Sequence, residues 1–465
     1  MASIDIATFL KMESSHVDFK EKLETKKARS WLKTVAAFAN TCNGYLIFGI
    51  RDEDQALVGI ENCQEVAEKI TELINARIHP FPMYEVTCIE KEKKDFIVVQ
   101  VSKGRNTPYY YVSEGTKIAF VRKGNQSIEA PAHELNSLIL YGNNQTFDEL
   151  PAIFPLENAS FTLLGATYVQ RNPEEVFEED RDLISFGLKT LDGQLTNAGA
   201  LLCDQGLLRQ SRISCTHWRG KEKGSLDLDA IDDKEYTGSL ISLLENAVGF
   251  VQNNSQKRWV VHGLERKEEE DYPIKALREV IVNALIHRDY QIKGSEVHID
   301  MYEDRLTVYS PGGMYNGWNI QDVKDLLKIQ SVRRNPVIAD VFSRLHFMDR
   351  KGSGIQRILN AYGILKSKVE FYSEADSFIV TLPNVSYARK QQMEQIEQKY
   401  SKKTKEQVGI VLNHMEFNKK YTTAELSAMV SLSESRVRQL LNILMEFDRV
   451  EKFGSNRYRC YSRIQ

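Results

Sequence analysis

The alternation of apolar and polar positions over residues 276–290 predicts an amphipathic helix. At about 100° per residue, apolar side chains form one stripe and a second face carries Glu279, Asn283 and His287. A solvated helix face more often carries Lys and Glu. A carboxylate, an amide and an imidazole at i, i+4 and i+8 therefore indicate a face that meets a ligand.

Elsewhere the periodicity predicts both helices and strands. The first 140 residues alternate between the two, with helices at 27–39 and 64–76 and strands at 17–19, 45–50, 83–90, 95–101 and 116–122. The last 60 residues predict helices at 423–429 and 434–446 and a hairpin at 450–461. That order is the outline of a winged helix-turn-helix, with Thr422 and Ser433 at the helix N-caps.

With 465 residues, the chain is too long for one hydrophobic core, and the expected class is a multidomain protein with α/β and α+β parts. We expect it to divide into consecutive segments. They are an α/β domain at 1–142, a connecting region with a small helical and strand unit at 143–270, a second α/β domain at 271–386, a polar linker or helix at 387–405 and the winged helix at 406–465.

Charge is unevenly distributed along the chain. The net charge of the whole chain is −3, whereas residues 389–463 carry 15 Lys and Arg against 9 Asp and Glu, a net of +6. We expect the winged helix to contact a duplex, with its second helix in the major groove and its wing on the backbone. The residues that would do so are Arg436 and Arg438 on the helix, and Lys452, Arg457 and Arg459 on the wing. The alternative is a protein–protein or dimerisation module.

Composition argues against a membrane or disulfide-stabilised protein. No run of about 18 uncharged apolar residues occurs, and the N-terminal residues lack the basic start of a secretion signal. The six cysteines are scattered without a CxxC pair. We therefore expect a cytoplasmic protein with reduced thiols and no membrane contact.

Two glycine turns follow the helix at 276–290. They contain Gly312 and Gly313, which close a strand, and Gly352 and Gly354, which precede a helix at 355–361. The first turn would approach a base or sugar closely, and the second would offer backbone amides to phosphates. Asn283 would then bind a Mg²⁺ ion that bridges the phosphates, and Glu279 would orient or deprotonate an attacking water. The alternative is ordinary turns beside a buried polar network.

Three segments within residues 272–380 resemble the GHKL family of ATP-binding domains: EVIVNALIHRDY, the SPGG turn and RKGSGIQRI. The resemblance implies an α/β sandwich that binds ATP, with Glu279 as the hydrolytic base, Asn283 as the metal ligand and His287 on the same face. The aspartate that reads the adenine amino group in that family falls at Ser310 here. The resemblance also implies a homo-oligomer, because GHKL domains often pair when nucleotide binds.

The N-terminal segment contains a second constellation: Glu13, Asp18, Lys20 and Asp52. A strand at 17–19 would put Asp18 and Lys20 on the same face, with Asp52 just beyond a neighbouring strand. Three acids at a nucleic-acid surface would repel phosphate unless a divalent cation, Mg²⁺ or Mn²⁺, binds among them and activates water. Lys20 would compensate charge. The alternative is that Asp18 and Lys20 pair on their strand and Glu13 caps a turn.

This segment resembles the Schlafen AlbA-like domain. The resemblance rests on Glu13, on the Asp18-Phe19-Lys20 triplet, on AFANTCNG at 37–44 and on the turn from Gly49 to Gly59 that contains Asp52. It implies that Glu13, Asp18 and Asp52 form a cleavage site for structured RNA such as tRNA. Other members of the family are DNA-binding or regulatory proteins.

Two functional hypotheses follow. In the first, the protein is a metal-dependent nuclease that acts on RNA or DNA, is controlled by ATP at the GHKL-like site with weak ATPase activity, and serves as an antiphage defence effector. In the second, it is an ATP-binding transcriptional regulator that binds DNA through its winged helix and N-terminal domain without cleaving it. We favour the first, because a surface that only binds phosphate gains nothing from three acids.

Overall fold

The structure is a computed structural model. It describes residues 16–223, 230–256, 258–262, 265–314, 319–329, 332–348, 353–363, 368–388, 390–391, 400–417, 419–446, 449–454 and 459–463, with the backbone alone for 258–262 and 265–269. The chain divides into two compact units. The first combines Met1–Ser255 with Pro273–Leu382, and the second combines Gln256–Tyr272 with Pro383–Gln465.

The N-terminal part of the first unit contains two four-stranded sheets. Its elements are β1 (Val17–Lys20), α1 (Arg29–Thr41), β2 (Gly44–Phe48), α2 (Cys63–Arg77), β3 (Ile78–His79), β4 (Tyr84–Lys91), β5 (Lys94–Val101), β6 (Tyr110–Ser113), β7 (Thr116–Lys123), β8 (Gln126–Glu129) and α3 (Ala132–Gly142). The strand orders are β1-β2-β5-β4 and β3-β6-β7-β8, and β1 runs parallel to β2. The predicted helices and strands all occur, with ends that differ by one or two residues.

Helix α1 packs against strands of both sheets, including β2, β5 and β7. A helix that is covered on several sides is apolar nearly all round, and Trp31, Leu32, Val35 and Phe38 of α1 are fully buried. Gly44 lets β2 approach this helix closely, since a Cβ there would overlap the Phe38 ring. The small and apolar residues of the AFANTCNG segment therefore build the packing around α1.

The remainder of the first unit is built on a six-stranded sheet. The elements that follow along the chain are α4 (Thr162–Arg171), α5 (Glu179–Ser185), α6 (Asn197–Leu202), β9 (Arg212–Trp218), β10 (Ala230–Thr237), α7 (Leu240–Asn254), β11 (Arg258–His262), β12 (Glu265–Glu269), α8 (Ile274–His287), β13 (Val297–Met301), β14 (Arg305–Pro311), α9 (Pro336–Arg344), α10 (Gly354–Tyr362), β15 (Glu370–Ser373) and β16 (Ser377–Pro383). The sheet order is β10-β9-β13-β14-β16-β15. Helices α7 and α8 pack on each other and on its strands.

The six-stranded sheet draws on both sides of the predicted boundary at 270/271. Strand β9, in the segment expected to be a connecting region, pairs in parallel with β13 from Val297↔Ile213 to Met301↔His217. Strand β10 then forms the edge of the same sheet. The segment at 143–270 therefore contributes two strands to the sheet of the α/β domain, while the hairpin of β11 and β12 belongs to the second unit.

The C-terminal part of the second unit contains α11 (Lys402–His414), β17 (Lys420–Tyr421), α12 (Thr423–Val430), α13 (Glu434–Glu446), β18 (Val450–Phe453) and β19 (Cys460–Arg463), with the sheet order β17-β19-β18. Thr422 caps α12 through a capping box with Glu425, and the Ser433 hydroxyl accepts from the Arg436 amide at 3.3 Å. Helix α11 begins inside the segment expected to be a linker or helix. The helix, helix, hairpin order is the predicted one; the winged-helix class itself stays a prediction.

Within the described ranges, every helix is too short or too polar to span a bilayer.

Candidate functional site

A cavity lies between α8, α10 and strands β14 and β16 of the first unit. It has about 1430 Å³ of empty space, part of it open to solvent, and the polar face of α8 contributes Glu279, Asn283 and His287 to its wall. Apolar side chains form much of the remaining wall: Val308, Ile320, Leu326, Leu327, Ile329, Val332, Met348, Phe371, Phe378 and Val380. The apolar stripe of α8 is buried, as the periodicity predicts: Leu277, Val280, Ile281, Ala284 and Leu285.

Glu279 lies at the centre of the polar contacts in this cavity. Its side chain is only 11% exposed, and Oε2 lies 3.5 Å from Arg357 Nη1. Oε1 accepts a hydrogen bond from Asn283 Nδ2 at 3.4 Å. Burial raises the pKa of Glu279, while Arg357 and Asn283 oppose that rise by stabilising the charged form.

Gly354 brings the start of α10 against this polar face. A Cβ at Gly354 would lie 2.5 Å from Glu279 Oε1 and 3.1 Å from Asn283 Nδ2. Any side chain at this position would therefore fill the space next to the two residues. Gly352, expected to share this role, lies outside the described residues.

The first glycine turn is joined to the end of α8 by Arg334. Its guanidinium donates from Nη1 to the His287 carbonyl at 3.0 Å and from Nη2 to the Gly313 carbonyl at 2.9 Å. Gly312 has φ +99°, and a Cβ there would overlap Arg334 Nη1. A side chain at Gly312 would thus be strained and would displace the guanidinium.

The surroundings of His287 and Ser310 determine the charge of the imidazole and the hydrogen bonding of the hydroxyl. Burial, with Arg334 and Arg333 nearby, lowers the pKa of His287 to about 4, so the imidazole is neutral at neutral pH. Ser310 is buried and its hydroxyl donates to the Ala284 carbonyl at 2.8 Å. A hydroxyl, not a carboxylate, therefore lies at the position that the GHKL resemblance gives to the adenine-reading aspartate.

In the N-terminal domain, β1 puts Asp18 and Lys20 on one face. Lys20 Nζ lies 2.9 Å from Asp18 Oδ1, and their side chains are 25% and 13% exposed, respectively. The second oxygen, Asp18 Oδ2, accepts from the Thr34 hydroxyl at 2.7 Å. The pairing of Asp18 with Lys20 is thus present, and α1 adds a second partner that the sequence pattern does not indicate.

Behind Thr34, hydrogen bonds lead to a buried arginine. The Ser127 hydroxyl donates to Thr34 Oγ1 at 3.3 Å and accepts from Arg122 Nη1 at 3.1 Å. Burial lowers the pKa of Arg122, and the negative charges of Asp18 and Asp52 act against that change. Asp52 is exposed. The charges of both predicted acids therefore act on Arg122, although it lies more than 100 residues from Asp18 in the chain.

Glu13, the third predicted acid, lies outside the described residues. In the part of the chain that the structure covers, no three His, Cys, Asp or Glu side chains are grouped so that they could hold a metal ion. Asp18 and Asp52 supply carboxylate oxygens, the ligand type that Mg²⁺ and Mn²⁺ prefer.

The basic residues of the C-terminal segment have different surroundings. Arg436 is held within its own domain, donating to Gln407 Oε1 at 2.9 Å and to Thr404 Oγ1 at 2.8 Å. Arg438 and Lys452 are exposed, Arg459 is half-buried, and Arg457 lies outside the described residues. Arg438 and Lys452 are therefore better disposed to meet a partner than Arg436.

Two family models match this chain. Residues 13–131 match the family described as "Schlafen, AlbA_2", and residues 294–382 match HATPase_c_4, described as "Putative ATP-dependent DNA helicase recG C-terminal". The chain thus contains a Schlafen AlbA_2 domain at its N-terminal end and an HATPase_c_4 domain further on. The second match begins after α8, so it includes the Gly312 turn and α10 but not the helix with Glu279.

Individual relatives share parts of the chain. The uncharacterized ATP-binding protein UU034 of Ureaplasma parvum is 33% identical over 127 residues, which are 25% of this chain and 34% of that protein. The DNA mismatch repair protein MutS of Clostridium tetani is 26% identical over 145 residues, 30% of this chain and 15% of that protein. The chain therefore spans about a third or less of the length of these curated relatives.

Among solved structures, the DIP2311 protein of Corynebacterium diphtheriae is 20% identical. The alignment covers 97% of this chain and 92% of that chain, with a TM-score of 0.43.

Proposed function

We propose that this chain acts on nucleic acid under the control of ATP, which binds in the cavity beside α8. The observation that carries the proposal is the polar face of α8, with Glu279 and Asn283, lying in the cavity wall directly against Gly354. The HATPase_c_4 match and the similarity to a protein named as ATP-binding support the same ligand.

The residues of the cavity fit a magnesium nucleotide. The apolar wall suits a base, and Arg334, Arg357 and the start of α10 suit phosphates. Asn283 Nδ2 is directed to Glu279, and no described protein group donates to Asn283 Oδ1, which leaves the amide oxygen as a Mg²⁺ ligand. When bound, ATP supplies a γ-phosphate whose cleavage Glu279 would assist by orienting water. Ser310 replaces the adenine-reading carboxylate, and because its hydroxyl donates to the Ala284 carbonyl, the oxygen would only accept a hydrogen bond from the base.

The test is a calorimetric titration of the full chain with ATP, with and without Mg²⁺. We expect Asn283→Ala to weaken Mg-ATP binding about tenfold, the loss of one metal ligand, while metal-free ATP binds as to the parent. Glu279→Gln keeps the shape of the side chain and should retain binding but slow hydrolysis. Equal Mg-ATP affinity in the parent and Asn283→Ala would remove the assignment.

We infer further that the N-terminal acids cleave RNA or DNA in the presence of Mg²⁺ or Mn²⁺. This inference is supported by the position of Asp18 and Lys20 on one face of β1 and by the Schlafen AlbA_2 match. Glu13, Asp18 and Asp52 would hold the metal, and Lys20 would offset phosphate charge. An antiphage defence role would follow from conditional cleavage of this kind.

Cleavage is tested on tRNA, single-stranded DNA and duplex DNA with each metal. Asp18→Asn with Asp52→Asn should abolish cleavage, whereas Glu53→Gln, a neighbouring exposed acid, should leave it unchanged. Cleavage that persists in the double variant, or a parent that cuts none of the substrates, contradicts the nuclease assignment.

The second candidate is an ATP-binding transcriptional regulator that binds DNA without cutting it, and the exposed Arg438 and Lys452 favour it. Replacing both with alanine should weaken duplex binding in this case, and neither the parent nor the variant should cleave DNA or RNA. Unchanged duplex affinity would count against the regulator.

A further inference from the structure

We propose that a basic pocket at the start of α1 binds a backbone phosphate of the nucleic-acid strand that reaches Asp18, an inference that rests on the proposed action on nucleic acid. The pocket is lined by Lys27, Arg29, Ser30, Lys33, Phe120 and Ser127. It has about 590 Å³ of empty space, part of it open to solvent.

The pocket has the chemistry of an anion site. Three of its side chains are cationic, and in the described part of the chain none of Lys27, Arg29 and Lys33 forms an ion pair with a carboxylate. The Arg29 guanidinium lies over the Phe120 ring, 5.6 Å from its centroid, which holds one cation at the pocket wall. Three cations that lack an acidic partner need a mobile counterion, and a phosphate group replaces that ion favourably.

The charge is local to this stretch of sequence. Residues 20–33 contain six Lys and Arg against two Glu. One of those acids, Glu24, accepts a hydrogen bond from the Ser30 hydroxyl at 2.8 Å, and the other, Glu21, pairs with Arg51. The cations that line the pocket therefore remain available for a ligand.

The position of the pocket favours a nucleic-acid backbone over other polyanions. Ser127, one of its lining residues, donates to Thr34, and Thr34 donates to Asp18 Oδ2. The pocket is thus separated from the Asp18 carboxylate by a single Ser–Thr pair. A carboxylate close to a bound backbone phosphate can take part in the cleavage of a phosphodiester bond. A lipid surface would instead call for exposed apolar side chains around the cations, and Phe120, the one aromatic lining residue, is buried.

The test compares two double variants of the full chain that lose the same charge. Lys27→Ala with Lys33→Ala removes two pocket cations, and Lys22→Ala with Lys26→Ala removes two exposed lysines of the same segment that do not line the pocket. Affinity for a fluorescein-labelled single-stranded RNA is measured by anisotropy over a series of salt concentrations. Every protein carries Asp18→Asn and Asp52→Asn so that the RNA is not cleaved. Circular dichroism melting curves verify folding.

The pocket variant should bind more weakly, and the slope of log K against log salt should fall in magnitude by about 0.7, which is the contribution of one single-strand phosphate contact. The control should retain the slope of the reference protein, which carries only Asp18→Asn and Asp52→Asn. Equal slopes in the reference and the pocket variant, or an equal fall in the control, would overturn the proposal. The proposal would also be overturned if the pocket variant lost binding to equimolar phosphatidylserine–phosphatidylcholine vesicles while its slope with RNA stayed unchanged. A failure to cleave affects the nuclease proposal alone, because this readout requires only binding.

Discussion

Replacement of Gly354 by alanine should weaken nucleotide binding without lowering the stability of the fold. The added Cβ would lie 2.5 Å from Glu279 Oε1, so that oxygen must retreat by about 0.9 Å to reach an ordinary contact distance. Because the obstructing atom ends a flexible side chain, the fold can absorb the change.

The substitution should instead lower the affinity of the cavity for Mg-ATP. Movement of Glu279 breaks its 3.4 Å hydrogen bond with Asn283 and puts a methyl group where the start of α10 would meet phosphate. Loss of one charge-assisted hydrogen bond between the start of α10 and a phosphate costs about 1.5–3 kcal/mol, which corresponds to a tenfold to hundredfold loss of Mg-ATP affinity.

The assay pairs calorimetric titration of Mg-ATP with a urea unfolding curve. Gly363→Ala, at the other end of α10, is the matched control, since its Cβ would make only ordinary contacts and its φ is −61°. We expect the control to bind like the parent. If Gly354→Ala also binds with the parent's affinity, the start of α10 does not face the nucleotide.

Three further predictions concern single side chains. Thr34→Val should lower the free energy of unfolding by about 1–3 kcal/mol by removing the donor to Asp18, with Thr34→Ser as the control; a urea curve equal to the parent's would contradict the network. The pKa of His287 lies near 4, below its usual 6.5, so the unfolded chain binds the proton more readily and parent stability should fall as pH drops from about 6.5 to 4. His287→Gln should lessen that fall, and matching pH profiles would refute the assignment. Asp148 accepts from the Val337 and Ile338 amides at the start of α9, so Asp148→Ala should cost about 0.5–2 kcal/mol in thermal unfolding while Asn is tolerated better; equal losses would argue against capping.

Local patterns carried much of the fold prediction. Residues three and four apart decide which face of a helix is apolar, so the buried stripe and the polar trio of α8 could be found from periodicity alone. The same holds for the caps of the C-terminal helices at Thr422 and Ser433, because a hydroxyl three residues before the capped amide is a local signal. The domain families could also be found from short motifs, since each is built on contiguous residues.

Long-range pairings were beyond such patterns. Nothing near residue 213 indicates that β9 pairs with β13, about 80 residues later, because strand partners are chosen by packing across the whole sheet. The same applies to Arg122, Ser127 and Thr34 behind Asp18, and to Arg357 beside Glu279, whose pairing depends on where α10 lies.

The sequence by itself determined which residues are polar on α8 and β1, because the repeat of a helix or strand follows from backbone geometry. Only the tertiary structure decided what those residues meet. Glu279 contacts Arg357 and borders the space that a side chain at Gly354 would fill. Asp18 is held by Lys20 and Thr34. The electrostatic character of each site depends on such neighbours, because burial and nearby charge set the pKa of a group and the ligands it accepts.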